Sequence, residues 1–300
     1  MMIFRFKRMY VVIIFLKFLT TLFSRAILSI SLVFYAKANA NEIQNLAVIN
    51  GFTLEEVDVG DFVITTYQKI QHPELKEFVF YIEGDGKAFS NGFPTEDPTP
   101  LNQLLFKLAT FDSRANIIYL ARPCQYTDKA KNPKCNNSFY WASGRMGKEV
   151  VEATNSAINK ISKTAKYNLV GYSGGGGIAI LVAAMDNSNI LSIVTIAGNL
   201  DVDKFKELHS IKPYFGPWVT YIDESLNPLD CTDLIRHIPQ IHFSGKDDNI
   251  VPPIIAKNFV TKSNSRLVQQ ITIPKTDHVS GWDQVWKKFL LDNSITSVNY

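Results

Sequence analysis

The chain has 300 residues, of which 46% are hydrophobic and 20% charged, and its formal net charge is +3. This composition supports the buried core of one large domain or two small ones. Much of the positive excess lies before residue 26, and the rest of the chain lacks the basic stripe typical of nucleic-acid binding. We therefore expect no nucleic-acid partner.

The N-terminal residues have the pattern of a targeting segment. Basic residues precede the apolar runs Val11–Leu16 and Ala26–Tyr35, and Ala38-Asn39-Ala40 offers a small-x-small cleavage site. We predict a signal peptide over residues 1–40, an exported protein (periplasmic or secreted), and one domain over residues 41–300. The alternative is an uncleaved membrane anchor, although neither apolar run reaches the ~18 residues of a spanning helix.

Strand-like and helix-like patterns alternate along the rest of the chain. The predicted strands are Phe62–Tyr67, Phe78–Ile82, Asn116–Leu120, Asn168–Val170, Leu191–Ile196, Ile241–Phe243 and Gln270–Ile273. The predicted helices are Leu101–Thr110, Lys148–Ile161, Gly177–Met185, Pro253–Thr261 and Trp282–Leu291. Apolar strands between helices predict an α/β fold with a mainly parallel sheet and helices on both faces. Residues 199–236 interrupt the alternation and are predicted to form a small insertion above the strand ends.

The segment Gly171-Tyr172-Ser173-Gly174-Gly175 joins a predicted strand to a predicted helix. This is G-x-S-x-G at a sharp strand-to-helix turn, where the serine hydroxyl is exposed at the edge of the sheet. Glycines two residues before and two after the serine avoid the Cβ collisions of so tight a bend. Ser173 is therefore the candidate nucleophile.

A serine nucleophile needs a base to take its proton and an acid to orient that base. Among five histidines, His278 alone lies in a loop between the last predicted strand and the last predicted helix. Asp248 follows the preceding strand and is the predicted acid, with its neighbour Asp247 as the alternative. The chain order Ser173, Asp248, His278 is the order typical of this arrangement.

The developing negative charge also needs backbone N–H donors, each worth roughly 3–4 kcal/mol. One predicted donor is Gly174, at the positive end of the following helix. The other is Asp85 or Gly86, in the glycine-containing loop after the strand Phe78–Ile82. An ordinary Gly-Asp-Gly turn is the alternative interpretation of that loop.

Three cysteines are present, and Cys124 and Cys135 bracket a polar loop. A disulfide between them would fit an oxidising compartment, and two unpaired thiols are the alternative. Cys231 is left over. The chain contains neither C-x-x-C nor a Cys/His cluster, so we expect no metal site and no cofactor.

These motifs, in this order, resemble those of α/β-hydrolases of the serine esterase and lipase type, over residues ~77 to 290. Three segments also resemble a group of uncharacterised exported bacterial α/β-hydrolases: Tyr81–Gly86, Ala121–Tyr126 and Ser225–Pro228. The resemblance implies a hydrolase and does not identify its substrate. We expect hydrolysis of a small-molecule or lipid ester through an acyl-enzyme, with thioesterase, lipase and peptidase activity as alternatives. One departure is Gly84-Asp85-Gly86 where the commoner lipases have His-Gly-Gly.

Other interpretations of the same residues are open. Gly174–Ala179 matches G-x-G-x-x-A, with Asp201 further along, as in a nucleotide-binding turn. That fingerprint normally lies at the start of its fold. A nucleotide-binding function would also leave Asp248 and His278 without a role. A non-catalytic hydrolase-like binding or surface protein is a further alternative.

Two groups of residues are candidates for the walls of a substrate cleft. The aromatic stretch Tyr214–Tyr221 would form an acyl pocket, or else pack on the core. Four further side chains are candidates: Arg122, Tyr126, Trp141 and Arg145.

Overall fold

A computed structural model describes residues 42–211, 214–215, 220–221 and 223–292, with no side chains given for 214–215 and 220–221. The chain divides into two units between Asn45 and Leu46, and the description below concerns the second. The predicted signal peptide or anchor, residues 1–40, lies outside the described residues. In the part of the chain that is described, no helix combines the length and apolar character needed to cross a bilayer.

The central sheet has eight strands in the order β1-β2-β6-β3-β7-β8-β11-β12. Its members are β1 (Thr53–Asp58), β2 (Val63–Ile70), β3 (Glu77–Ile82), β6 (Asn116–Leu120), β7 (Lys166–Tyr172), β8 (Ile190–Ile196), β11 (Gln240–Gly245) and β12 (Val268–Ile273). The strands from β6 to β12 pair in parallel, and β1 and β2 form an antiparallel edge. The apolar side chains of the central strands β6, β3 and β7 are almost fully buried, as expected for a sheet covered on both faces.

Two pairs of two-residue strands lie outside this sheet, and both are antiparallel. They are β4 (Phe89–Ser90) with β5 (Phe93–Pro94), and β9 (Tyr214–Phe215) with β10 (Thr220–Tyr221).

Seven α-helices that follow β1 within the described residues complete the fold. They are α1 (Leu104–Thr110), α2 (Lys148–Ser162), α3 (Gly174–Met185), α4 (Val202–Leu208), α5 (Thr232–Ile235), α6 (Ile254–Ser263) and α7 (Trp282–Leu291). Helices α1 and α7 contact each other, and α3 contacts both α2 and α5. The architecture is therefore the predicted α/β arrangement of a mainly parallel sheet between helical layers. Loops that follow parallel strands emerge at one edge of such a sheet, which is where ligands usually bind.

The predicted insertion, residues 199–236, contains α4, α5 and the β9–β10 pair. The segment that begins at Asp223 is joined to the rest of the domain by backbone hydrogen bonds. Glu224 N donates to Ser143 O at 2.7 Å, and Leu226 N donates to Met146 O at 3.0 Å. The insertion is thus anchored beside the loop that precedes α2.

Candidate active site

Ser173 occupies the turn between β7 and α3 with φ 52° and ψ −122°. A non-glycine residue with positive φ is strained, and such strain persists only where the surrounding structure holds it. Ser173 N donates to Ile196 O at 3.0 Å, and Ser173 O accepts from Gly176 N and Asn199 N at 3.0 and 2.9 Å. A Cβ on Gly171 would collide with the Gly175 carbonyl, so glycine is required for this close approach.

The loop between β12 and α7 brings His278 to this turn. His278 Nε2 lies 3.1 Å from Ser173 Oγ, and its Nδ1 lies 2.8 Å from Asp248 Oδ2. The imidazole packs against the Tyr172 ring at a centroid distance of 5.2 Å. Tyr172 Oη and Trp282 Nε1 both donate to the His278 carbonyl, at 3.0 and 3.1 Å. These contacts fix the ring between the serine and the carboxylate.

The two candidate acids differ sharply in their surroundings. The Asp248 side chain is fully buried, and its Oδ1 accepts hydrogen bonds from the backbone N–H groups of Ile250 and Val251, both at 2.8 Å. These two bonds hold the carboxylate so that Oδ2 faces His278. Asp247 is exposed on the same loop. The structure thus brings together Ser173, His278 and Asp248, and leaves Asp247 outside the group.

The loop after β3 lies against the serine turn. A Cβ on Gly84 would approach Ser173 Cβ to 3.1 Å, and a Cβ on Gly174 would overlap Asp85 Oδ1. Gly86 (φ +63°) instead packs against Pro98 O, which a Cβ at this position would overlap. Within the described residues, neither the Gly174 nor the Asp85 amide N–H donates a hydrogen bond to another protein group. Both amide N–H groups therefore lack an acceptor among the described residues, and Gly174 directly follows Ser173.

The Asp85 carboxylate is held by two arginines that are almost entirely buried. Asp85 Oδ1 lies 3.2 Å from Arg122 Nη1, and Asp85 Oδ2 lies 3.3 Å from Arg145 Nε. Arg122 Nη2 also donates to the Arg145 carbonyl. Arg145 Nη1 in turn lies 3.6 Å from Asp223 Oδ2, in the last segment of the insertion. Asp223 was not singled out from the sequence, where it stands among ordinary loop residues.

Sequence analysis also missed Glu83, which is buried between β3 and this loop. Its two oxygens accept hydrogen bonds from Gly84 N and Tyr119 Oη, each at 2.7 Å. Burial raises the pKa of the Glu83 carboxyl to about 7, and the two hydrogen bonds oppose that rise. An acid that directly continues a fully apolar strand is the signal that could have identified it.

Three of the four cleft candidates line one small cavity. Arg122, Trp141 and Arg145 surround it together with Asp85, and its volume of about 10 Å³ is that of a single water. The fourth candidate, Tyr126, instead donates from its hydroxyl to Gln103 at 2.9 Å. The proposed acyl wall at Tyr214–Tyr221 lies outside the residues whose side chains are described.

Cys124 and Cys135 are joined in a disulfide, which closes the loop next to Arg122. Cys231 is not paired. Gln125, in the same loop, donates from Nε2 to the Gly84 carbonyl at 2.9 Å. The loop therefore supports the segment that contacts the serine turn.

The glycines of the serine turn allow close packing within the protein. Protein atoms already fill the position of a Cβ at Gly175, Gly176 and Gly177. Asp201, the candidate ribose ligand, caps α4 by accepting from Lys204 N at 3.0 Å. No group of three or more His, Cys, Asp or Glu side chains in the described parts of the chain could hold a metal ion.

Neither a protein-family profile nor a curated protein sequence matches the chain. Solved structures do. Est1E from Butyrivibrio proteoclasticus has a TM-score of 0.56 at 12% identity, over 81% of this chain and 98% of its own. An esterase from Pyrococcus furiosus has a TM-score of 0.54 at 12% identity, over 81% and 90%. A putative lipase from Acinetobacter baumannii has a TM-score of 0.52 at 14% identity, over 87% and 97%. These similarities show that the chain has the α/β-hydrolase fold.

Proposed function

We propose that this protein of the α/β-hydrolase fold is a serine hydrolase that cleaves carboxylic esters through Ser173, His278 and Asp248. The observation that carries the proposal is the continuous hydrogen-bonded path from Ser173 Oγ through His278 to Asp248 Oδ2, with distances of 3.1 and 2.8 Å. A serine on a strained turn with such a path to a buried carboxylate is the arrangement that nucleophilic acyl transfer requires.

In the proposed mechanism, Ser173 Oγ attacks the ester carbonyl while His278 Nε2 takes its proton. Asp248 holds the imidazole in the tautomer that can accept this proton, and stabilises the imidazolium that forms. The N–H groups of Gly174 and Asp85 donate to the tetrahedral oxyanion. His278 then protonates the leaving alcohol, and water releases the acyl group from Ser173 by the same steps.

The assignment of Asp85 as the second donor rests on the free amide and on the contact of its side chain with Gly174. Gly86 is the weaker candidate because its backbone packs against Pro98 instead. The preference for esters draws support from the structural neighbours, of which one is an esterase and another, Est1E, has been solved with ferulic acid bound.

Export through the N-terminal segment remains part of the proposal. The disulfide between Cys124 and Cys135 supports it, because such bonds persist mainly in oxidising compartments. The substrate would then be an ester that is met outside the cytoplasm, either a small molecule or a lipid.

A fluorophosphonate probe and a series of p-nitrophenyl esters test the catalytic assignment. We expect the probe to label the wild-type protein at Ser173, and Ser173→Ala to lose both labelling and turnover. His278→Ala should lower kcat by about 10³-fold or more, because the serine loses its base. His237→Ala is the matched control, since His237 is exposed away from the site.

Two results would overturn the assignment. The first is labelling of the Ser173→Ala protein at the wild-type rate, which would place the nucleophile elsewhere. The second is a wild-type protein that is folded but neither labels nor turns over any ester, which would favour the non-catalytic binding protein.

A further inference from the structure

The side chain of Asp85 lies where an anion is electrostatically unfavourable. It contacts Gly174, whose N–H is one of the two proposed donors to the oxyanion, and Asp85 itself supplies the other. A carboxylate this close to the developing negative charge would raise the energy of the transition state, because like charges repel strongly in a site with little water. The Asp85 side chain is only 24% exposed, so solvent screens it incompletely.

Two guanidinium groups contact this carboxylate. Arg122 contacts one oxygen and Arg145 the other, and each arginine side chain is only 5% exposed. Burying a charged arginine is costly, and it is tolerated where the guanidinium is paired. Burial lowers the pKa of Arg122, and the charge of Asp85 opposes that effect.

The same contacts occupy both oxygens of the carboxylate. A carboxylate beside a free N–H would otherwise accept its hydrogen bond, and Asp85 Oδ1 lies against Gly174, where it would overlap a Cβ on that residue. Within the described residues, no hydrogen bond links the Gly174 amide to Asp85. The carboxylate instead contacts Arg122 Nη1 and Arg145 Nε.

We propose, on the basis of the serine hydrolase function above, that Arg122 and Arg145 are positioning residues of the oxyanion hole. They compensate the charge of Asp85 and hold its carboxylate off the Gly174 amide, so that both donors remain free for the oxyanion. Removal of an arginine therefore lowers kcat because the Asp85 charge is left uncompensated, and removal of that charge as well restores part of kcat.

A double-mutant cycle on Arg122→Met and Asp85→Asn tests this dependence. Arg122 is preferred over Arg145 because, among the described residues, it forms an ion pair with Asp85 only, whereas Arg145 also pairs with Asp223. Turnover of a short-chain p-nitrophenyl ester is measured per active site, with the sites counted by stoichiometric fluorophosphonate labelling. This normalisation removes any fraction of a variant that fails to fold.

We expect Arg122→Met to lower kcat by on the order of 10- to 100-fold with little change in KM, since the loss is one of transition-state stabilisation. The double variant should be at least about 5-fold faster than Arg122→Met alone, which is a coupling beyond the usual additive error. Arg122→Lys keeps the positive charge and should fall between Arg122→Met and wild type, because it cannot reproduce the planar guanidinium contact.

Arg114 and Asp112 form a matched control pair. They are a partly buried arginine and a buried aspartate in contact, but their partner is the Tyr81 hydroxyl and not the serine turn. Arg114→Met, alone or with Asp112→Asn, should lower stability and leave kcat per labelled site unchanged.

The results distinguish failure of the proposed function from failure of this inference alone. If wild-type turnover does not depend on Ser173, the proposed function fails and this inference fails with it. If turnover depends on Ser173 but the double variant is no faster than Arg122→Met, or Arg122→Met keeps the wild-type kcat, the inference alone is overturned.

Discussion

Glu83 gives the structure a pH-dependent stability that can be measured. Its pKa rises from an ordinary 4.5 to about 7 because the carboxyl is buried. A group whose pKa is raised by folding favours the folded state while it is protonated, and that contribution is lost as the pH rises through the folded pKa. Stability from Glu83 is therefore complete below about pH 4.5 and lost by about pH 8.

The size of the effect follows from the same two pKa values. Each pKa unit corresponds to about 1.4 kcal/mol, so the unfolding free energy should fall by about 3 kcal/mol across this range. Glu83→Gln remains neutral at every pH and keeps an oxygen that can accept from Tyr119 Oη or Gly84 N. The wild-type curve should thus fall relative to the Glu83→Gln curve as the pH rises.

Urea unfolding at a series of pH values from about 5 to about 8 measures this difference. Glu55→Gln, which removes an exposed carboxylate from β1, controls for the change in net charge. The reasoning is refuted if the wild-type and Glu83→Gln curves stay parallel over the range. It is also refuted if wild type gains stability relative to Glu83→Gln as the pH rises, because that would mean a folded pKa below the ordinary value.

Three further predictions concern other parts of the chain. Asp248→Asn should lower kcat by on the order of 10³- to 10⁴-fold in ester assays, because the imidazole loses its orienting acid, whereas Asp247→Asn should stay near wild type. An equal loss in both would contradict the assignment. Cys135→Ser should lower the urea unfolding free energy by about 2–4 kcal/mol, with Cys231→Ser as the control that changes no bridge. Mass spectrometry of the protein expressed in a bacterial host with its N-terminus intact should show cleavage near Ala40, and an intact N-terminus in the membrane fraction would favour the anchor.

The regular elements of the fold were predictable where the sequence pattern is decisive. The predicted bounds of β6 (Asn116–Leu120) and α7 (Trp282–Leu291) agree with the structure, because a wholly apolar run and a regular amphipathic spacing both leave little ambiguity. Strand β1 (Thr53–Asp58) was not predicted. It lies at the edge of the sheet with almost every side chain exposed, so it has no apolar pattern to detect. Helices α4 and α5 were missed in the insertion because each is too short to show periodicity.

The candidate residues of the site could be selected from their context in the chain. Ser173 could be placed because glycines and an apolar strand and helix surround it, and His278 because it falls in the last loop between a strand and a helix. Their distance could not be derived, because it depends on how the sheet twists and how the loop between β12 and α7 folds back. The preference for Asp248 over Asp247 rested on its position before Val251, and in the structure Val251 N does donate to Asp248 Oδ1.

The ion pairs of Asp85 could not be predicted from the sequence. Arg122 is 37 residues from Asp85 in the chain, and no spacing rule relates the two. The need for arginines at this position nevertheless has a physical reason, because an acid beside an oxyanion is acceptable only if nearby cations compensate its charge. Those cations come from two loops, one closed by the Cys124–Cys135 disulfide and the other joined to the insertion through Asp223. The position of the Asp85 carboxylate therefore depends on several distant segments at once, and under the proposed function we expect a substitution in any of them to change catalysis through that carboxylate.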